Sequence, residues 1–270
     1  MKVSIIIVNY NGLRYARNCV ASILRWSPGS EIIIVDNGST DGSVESLRKE
    51  FPQIRLIALT KNNGFGHGNN RGAEVATGNV FFFLNNDTLL TEDTPAVLAA
   101  YLERNSEVAA CGPKLLNEDR TFQLSFGLDP SIKNERIVRR MQRRLRNGDV
   151  HYASWLEKRH ADKVIDWATG AALMVRREVF EKIGGFDDTF FMYFEDADLC
   201  RRIRKAGFEI RYNPETSVVH LLGQSVKDGN PNVGVEYRRS QIYYYRKHRS
   251  PIALLLLRLY LALRPFIHRT

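Results

Sequence analysis

The sequence predicts an α/β protein with a doubly wound, mostly parallel central sheet flanked by helices. Short apolar, β-branched runs alternate with segments of helical period, as in repeated strand–helix units. The runs are apolar at nearly every position, which is typical of strands covered on both faces. With 270 residues, 44% hydrophobic and 26% charged, the chain can form one large folded domain with an appendage.

The first 90 residues contain four predicted strands separated by three predicted helices. The strands cover residues 3–8, 31–35, 54–59 and 79–84. The helices cover residues 13–26, a segment from Thr40 or Asp41 to about Glu50, and residues 69–77.

Less regular elements are predicted after residue 90. Helices are expected at 91–105, 177–183 and 195–206, and strands at 108–116, 166–175, 208–212 and 218–220. Residues 133–158 have weak periodicity and are interpreted as a mobile loop or a surface helix. The simplest division is a catalytic domain at 1–225 and a basic, amphipathic helical extension at 226–270.

The net charge of +9 is concentrated in two segments. Seven basic residues and one acidic residue lie between 133 and 146, and no acidic residue follows Glu236. The tail also contains an apolar stretch at 252–263, interrupted by Arg258, which is too short to span a bilayer. We expect a helix lying on a membrane surface, the alternatives being a helix packed on the core or on a second subunit, as in a homodimer.

The cysteines and the amino terminus favour a cytoplasmic protein, and the basic, apolar tail predicts a peripheral position at the inner face of the membrane. Cys19, Cys111 and Cys200 are widely spaced and odd in number, which argues against a disulfide framework. The apolar run at residues 3–8 is too short for a signal peptide.

Polar residues follow the predicted strands where each strand ends. The run Phe81-Phe82-Phe83-Leu84 stops at Asn85-Asn86-Asp87-Thr88. A carboxylate there could hold a divalent cation that grips a diphosphate, although Asn-Asn-Asp-Thr is also an ordinary turn sequence. Tyr10 and Asp36 follow the first two strands, where they could contact a base or a ribose. Ligands of open α/β sheets bind at this edge.

Glycines and acidic residues supply further candidates. The glycines of residues 63–70 would let backbone N–H groups approach a ligand, but their spacing is not the dinucleotide fingerprint. Glu195, Asp196 and Asp198 open a predicted helix. Glu195 and Asp198 share a face and could cap the helix or pair with arginines, whereas Asp196 points elsewhere and suits a general base. His220 could be structural or a metal ligand.

In this context the chain resembles the family 2 glycosyltransferases of the Rossmann-like GT-A fold, in the rhamnosyltransferase-like branch. The resemblance covers residues 3 to about 225. It rests on VSIIIVNYN at 3–11, VDNGSTDGS at 35–43, NGFG at 63–66, GNNRG at 68–72, LNNDT at 84–88, GA at 170–171, GGFD at 184–187, FMYFEDADLC at 191–200 and VH at 219–220.

The resemblance implies a nucleotide-sugar donor, Mg²⁺ or Mn²⁺, and a role for each matching residue. Asp196 would be the catalytic base, Asp87 and His220 would hold the metal, and Trp167 and Glu195 would contact the acceptor. The donor site would contain Val8, Asn9, Tyr10, Asp36, Gly64, Asn69, Asn86, Asp87, Gly170 and Ala171. Asn85 stands where the metal motif has its first acidic residue, so only one carboxylate remains there.

The predicted function is inverting transfer of L-rhamnose from dTDP-rhamnose to a hydroxyl of a saccharide acceptor on a polyprenyl diphosphate, in cell-surface polysaccharide synthesis. Alternatives within the class are a UDP-hexose or UDP-N-acetylhexosamine donor, or a non-catalytic relative that binds nucleotide sugars. Nucleic acid is not expected as a partner, because the carboxylates at the predicted site repel phosphates unless a metal intervenes. The missing fingerprint argues against a dinucleotide-dependent oxidoreductase.

Overall fold

The computed structural model describes residues 1–221 and 233–267, with side chains described through Ala262. Its centre is a sheet of order β3-β2-β1-β4-β10-β6-β11-β5, with β7 beside β6, and β8 and β9 pair separately. The strands are β1 Val3–Asn9, β2 Glu31–Asp36, β3 Arg55–Ala58, β4 Val80–Asn85, β5 Thr88–Leu90, β6 Val108–Leu116, β7 Phe122–Gln123, β8 Phe126–Gly127, β9 Trp167–Ala168, β10 Ala172–Arg176 and β11 Glu209–His220.

Helices flank the sheet, and the last two belong to the carboxyl-terminal segment. They are α1 Leu13–Trp26, α2 Ser43–Glu50, α3 Phe65–Val75, α4 Thr94–Arg104, α5 Ile132–Arg146, α6 Val150–His160, α7 Arg177–Lys182, α8 Glu195–Lys205, α9 Val233–His248 and α10 Pro251–Ile267. The α/β fold class, with a central sheet between helices, is therefore confirmed.

The sheet is parallel in its first half and mixed in its second half. β3, β2, β1 and β4 run parallel, and the register places Asn9 opposite Asp36 and Val8 opposite Asn85. The three strand ends that the sequence singled out therefore lie side by side. Beyond β4, β10 is antiparallel to both neighbours, and β11 is parallel to β6 but antiparallel to β5.

Two predicted strand boundaries were wrong. The segment 166–175 is not one strand but two, because Thr169, Gly170 and Ala171 turn between β9 and β10. Residues 209–220 form one long strand instead of two short ones, since β11 keeps pairing with β6 on both sides of a register shift between Asn213 and Ser217.

The glycine-rich loop is shorter than predicted, because α3 begins at Phe65 and not at residue 69. A Cβ added at Gly68 would lie 2.8 Å from Val8 Cγ2, and one at Gly72 would lie 2.4 Å from Ile6 Cγ2. These two glycines therefore let α3 pack closely on β1. Gly64 differs, because its φ of +96° and the backbone of Phe191 beside it both require glycine.

The basic stretch at 133–158 is helical, forming α5 and most of α6. The side chains of Ser131 and Asp149 accept hydrogen bonds from the first turns of these helices, at 3.1 Å and 2.9 Å. The surface-helix alternative is the one that the structure shows.

The carboxyl-terminal helix α9 packs against the first 221 residues. Lys247 Nζ lies 2.6 Å from Asp187 Oδ2 and 2.7 Å from Asp198 Oδ1, and Arg249 pairs with Asp129. Two of the basic tail residues are thus used in intramolecular ion pairs. The predicted boundary between residues 225 and 226 lies outside the described residues.

Helix α10 has one packed side and one exposed apolar side. Leu257 is buried in a cluster that includes Tyr244 and Tyr245 of α9. Four apolar residues at helical spacing are more than half exposed; they are Ile252, Leu255, Leu256 and Leu259. Within residues 1–221 and 233–267, no helix combines the length and hydropathy needed to cross a bilayer.

Candidate active site

A cavity of about 820 Å³ opens at the carboxyl edge of β1 and β4. One wall consists of these strand ends, a second of the start of α8 with the turn before β10, and a third of α5 and α9. The lining residues are Val8, Tyr10, Asn37, Asn62, Gly64, Phe65, Asn85, Asn86, Asp87, Leu128, Pro130, Glu135, Val138, Arg139, Gln142, Trp167, Thr169, Gly170, Ala171, Phe191, Met192, Tyr193, Phe194, Glu195, Asp196, Ala197, His220 and Tyr237.

The structure brings most of the predicted site residues to this cavity, although they are up to 212 positions apart in the sequence. Three predicted donor contacts lie behind the wall, since Asn9, Asp36 and Asn69 are fully buried and do not line the cavity. Asn9 Nδ2 donates to Asp36 Oδ2 at 2.9 Å, and Asn9 Oδ1 accepts from Asn86 at 2.8 Å.

These buried groups hold the loops that form the wall. Asp36 Oδ1 accepts a bond from the Ser39 backbone N–H at 2.8 Å, and Asn69 donates to the Phe65 carbonyl within α3. Asn37, which the sequence analysis did not select, lines the cavity beside them and donates to the Gly64 carbonyl at 3.0 Å. Direct donor contacts by Asn9, Asp36 and Asn69 stay a prediction.

Asp87 and His220 lie together at the end of the sheet. Asp87 is 2% exposed, and its Oδ1 is 3.3 Å from His220 Nε2. Gln123 Nε2 donates to the His220 carbonyl and to Asn117 Oδ1, so Gln123 Oε1 must be the group that faces His220 Nδ1, at 2.7 Å. In the neutral imidazole, Nδ1 therefore carries the proton and Nε2 carries the lone pair.

The Asp87–His220 pair can supply two ligands to a divalent cation, and a bound molecule must supply the others. Among residues 1–221 and 233–267, no group of three His, Cys, Asp or Glu side chains is arranged to hold a metal. A carboxylate is nevertheless a suitable ligand for Mg²⁺ or Mn²⁺, and an imidazole nitrogen beside it suits the softer Mn²⁺ better than Mg²⁺. A cation held here needs additional oxygen ligands, which a bound diphosphate can supply.

Asp196 stands in the first turn of α8, close to the glycine turn. Its Oδ2 accepts a bond from the Gly170 N–H at 3.1 Å, and its Oδ1 accepts from the Ala197 N–H at 2.7 Å. The two residues before α8, Tyr193 and Phe194, have φ values of 68° and 67°. Left-handed backbone at two bulky residues costs about 1–3 kcal/mol each and is concentrated at functional sites.

Burial shifts the titration of the acidic pair at the start of α8. Burial raises the pKa of Glu195 well above its usual range, and the negative charges of Asp196 and Asp198 raise it further. Burial also raises the pKa of Asp196, although the N–H groups of Gly170 and Ala197 partly oppose this. The two N–H groups favour the ionised form of Asp196, which suits a proton acceptor.

The contacts of Asp198 indicate a structural role, because they are with basic side chains of α8 and α9. It is fully buried, forms ion pairs with Arg202 and Lys247 at 2.7 Å, and is hydrogen-bonded to His248 Nε2 at 2.6 Å. Burial alone would raise its pKa, but the bond from His248 and the charge of Arg202 hold the pKa below its usual value. The pairing with an arginine that the sequence analysis considered for Asp198 is the arrangement observed.

Sequence reasoning missed the third wall of the cavity. Glu135, Arg139 and Gln142 of α5 and Tyr237 of α9 line it, yet they lie in segments interpreted as a basic surface and a tail. A weak signal was available for α5, because the buried Glu135 is the one acid among its basic residues. Nothing local in the sequence indicates Tyr237.

The fold and the site together define a glycosyltransferase. Residues 4–198 match Glycosyl transferase family 2, which covers most of the chain. The chain belongs to this family.

Similar proteins share the same class of activity. A Mycobacterium tuberculosis N-acetylglucosaminyl-diphospho-decaprenol L-rhamnosyltransferase is 26% identical over 240 residues, covering 82% of this chain and 78% of that protein. A Shigella flexneri dTDP-rhamnosyl transferase, RfbF, is 23% identical, with 92% and 81% covered. The solved structure of GalNAc-T7 with UDP, GalNAc and Mn²⁺ matches the fold with a TM-score of 0.64 at 17% identity, covering 91% of this chain and 48% of that one.

Proposed function

We propose that this glycosyltransferase moves L-rhamnose from dTDP-L-rhamnose, with inversion, to a hydroxyl of a saccharide carried on a polyprenyl diphosphate, in cell-surface polysaccharide synthesis. The observation that carries the proposal is one cavity that holds both a proton acceptor, Asp196, and the Asp87–His220 pair. The names of the two rhamnosyltransferase relatives support the sugar, and the decaprenol-linked substrate of one of them supports the acceptor class.

The reaction requires one proton transfer and one displacement. Asp196 takes the proton from the acceptor hydroxyl while that oxygen attacks the anomeric carbon. The bond from this carbon to the diphosphate oxygen breaks, and the nucleoside diphosphate leaves with the electron pair on the opposite face. The anomeric configuration inverts through an oxocarbenium-like transition state, as in glycoside hydrolysis.

We assign the remaining cavity residues by their walls. Val8, Tyr10, Gly64 and Asn86 form the donor side at the strand ends, and Gly170 with Ala171 surrounds the sugar beside Asp196. Trp167 and Glu195 contact the acceptor. Asp87 and His220 would hold Mg²⁺ or Mn²⁺ together with the donor diphosphate, and the cation would neutralise charge on the leaving group.

A ligand screen tests the donor. We expect dTDP-L-rhamnose with Mn²⁺ to raise the melting temperature more than UDP-glucose, UDP-N-acetylglucosamine or GDP-mannose, because only a specific donor fills both the base and sugar subsites. Release of dTDP and formation of a rhamnosylated product are then followed by mass spectrometry. A larger shift with a UDP-sugar would replace rhamnose with that sugar. Binding without product would favour the non-catalytic alternative.

We further propose that α10 binds an anionic membrane surface at the inner face of the cell membrane. The exposed stripe of Ile252, Leu255, Leu256 and Leu259 has the spacing of one helix face, and the exposed Arg258 immediately precedes its last residue. No acidic residue follows Glu236 in the sequence, so nothing in this segment repels anionic lipid. Apolar and basic groups together are typical of helices that lie in the headgroup region.

The stripe can be tested without disturbing the docked helices. We expect a variant with Gln at Ile252, Leu255, Leu256 and Leu259 to lose most of its flotation with phosphatidylglycerol vesicles, since each buried apolar side chain contributes about 1.5–3 kcal/mol. The matched control places Gln at Val150 and Val164, which are similarly exposed. Unchanged flotation would contradict the membrane proposal, and a dimer that the stripe variant abolishes would assign the surface to a second copy.

A further inference from the structure

Helix α5 places a positively charged side chain, Arg139, in the cavity, and the proposed donor site does not use this side chain. Arg139 lines the cavity together with Val138 and Gln142, and its side chain is 41% exposed. The proposed donor diphosphate is held at Asp87 and His220, at the strand ends, through a metal ion. An arginine on a different wall needs no metal to bind an anion.

Arg139 lies beside a buried acidic residue of its own helix, Glu135. Arg139 Nε donates to the Glu135 carbonyl at 3.3 Å, and its Nη2 is 3.6 Å from Glu135 Oε2. Glu135 is 9% exposed and also accepts bonds from Gln241 and Tyr245 of α9, at 2.5 Å and 3.2 Å. In the described part of the chain the polar contacts of Arg139 are with Glu135, which leaves guanidinium N–H groups for a ligand.

The same helix also reaches α10. The guanidinium of Arg136 lies 5.3 Å from the centroid of the Tyr260 ring. Arg136, Arg139 and Arg143 are spaced i, i+3 and i+7, so they share one face of α5. Arg136 beside α10 and Arg139 in the cavity are therefore neighbours on this face of the helix.

We propose that Arg139 binds the diphosphate of the polyprenyl-diphosphate-linked acceptor. The inference rests on the proposed function. The diphosphate joins the lipid chain to the first sugar, so it must lie between the membrane and the cavity whenever that sugar is near Asp196. Arg139 occupies such a position, on the helix that contacts both α10 and the cavity, and its planar guanidinium can make paired hydrogen bonds to phosphate oxygens.

Geranyl diphosphate, which is water-soluble, is the probe for this site. Its binding to the full-length protein is measured by calorimetry in EDTA, so that no cation at Asp87 can capture the diphosphate. We expect Arg139→Gln to weaken binding roughly 10- to 100-fold through loss of a charge-assisted pair. Arg140→Gln, which removes the same charge from the next residue of α5, is expected to change binding less than about threefold. Arg139→Lys is expected to be intermediate.

Kinetics then separate this role from a merely structural one. With prenyl-diphosphate-linked N-acetylglucosamine as acceptor, Arg139→Gln should raise the KM for acceptor and leave the KM for donor unchanged. With the octyl glycoside of the same sugar, which lacks the diphosphate, the variant and the wild type should have the same KM. Equal losses with both acceptors, equal weakening by Arg139→Gln and Arg140→Gln, or no binding of geranyl diphosphate by the wild type would each overturn the proposal. A wild type that binds the probe but transfers no sugar would refute the proposed function and leave this site standing.

Discussion

Asp196→Asn is expected to lower kcat for sugar transfer by roughly 10²- to 10⁴-fold, the usual contribution of a general base. The asparagine side chain keeps an oxygen for the Gly170 N–H, but it loses the bond from the Ala197 N–H and cannot accept the proton of the acceptor hydroxyl. Because the base acts on the acceptor hydroxyl and not on the donor, donor affinity should stay within about threefold of wild type. The measurements are single-turnover transfer and calorimetric titration with the donor.

The pH dependence gives an independent check on the same residue. The base must be ionised to act, and burial raises the pKa of Asp196 above the ordinary value of 3.8. The wild-type kcat should therefore fall as pH decreases through this raised pKa, at a higher pH than for an exposed aspartate. The residual activity of Asp196→Asn should lack this acid limb.

A matched control keeps the result specific. Asp93 caps the amino terminus of α4 and does not line the cavity. Asparagine caps helices as well as aspartate does. Asp93→Asn should therefore be as active as the wild type. If Asp196→Asn retained near-normal turnover, another group would have to be the base, and the buried Glu195 would be the next candidate.

The strand ends were predictable from sequence because local rules decide them. A run such as Phe81-Phe82-Phe83 has apolar side chains on both faces of the strand, so helices must cover both faces. Parallel strands place their carboxyl ends at one edge of the sheet. That the carboxyl ends of β1, β2 and β4 meet at one edge follows from these two rules, and the structure adds the register that places Asn9 opposite Asp36.

Other features depend on distant partners and could not be predicted in this way. The direction of β10 depends on how the chain returns to the sheet after α5 and α6. The sequence of a uniformly apolar strand does not indicate whether it pairs in a parallel or an antiparallel direction. Gly68 and Gly72 resemble ligand-loop glycines in sequence, and only the closeness of α3 to β1 shows that they serve packing. The third wall of the cavity depends on Gln241 reaching Glu135, 106 residues away.

The second large effect on activity is expected from substitutions at Asn85 and Asp87, because these side chains determine how tightly a cation binds. Asp87→Asn is expected to raise the Mn²⁺ concentration for half-maximal activity and to lower kcat/KM for the donor by roughly 10²- to 10³-fold, since it removes the one carboxylate at this position. His220 alone, although its Nε2 lone pair is oriented by Gln123, cannot replace that charge.

The informative control adds a carboxylate at residue 85 instead of removing the one at residue 87. Asn85→Asp restores the acidic residue that the metal motif lacks here, and Asn85 Nδ2 is already 3.4 Å from His220 Nε2. Two carboxylates and an imidazole would form a more complete ligand set, so Mn²⁺ should bind Asn85→Asp measurably without any nucleotide, whereas the wild type should require one. Calorimetric Mn²⁺ titrations with and without dTDP measure both quantities. Tight Mn²⁺ binding by the nucleotide-free wild type would contradict the idea that cation and donor bind together. An unchanged metal requirement in Asp87→Asn would remove Asp87 from the metal site.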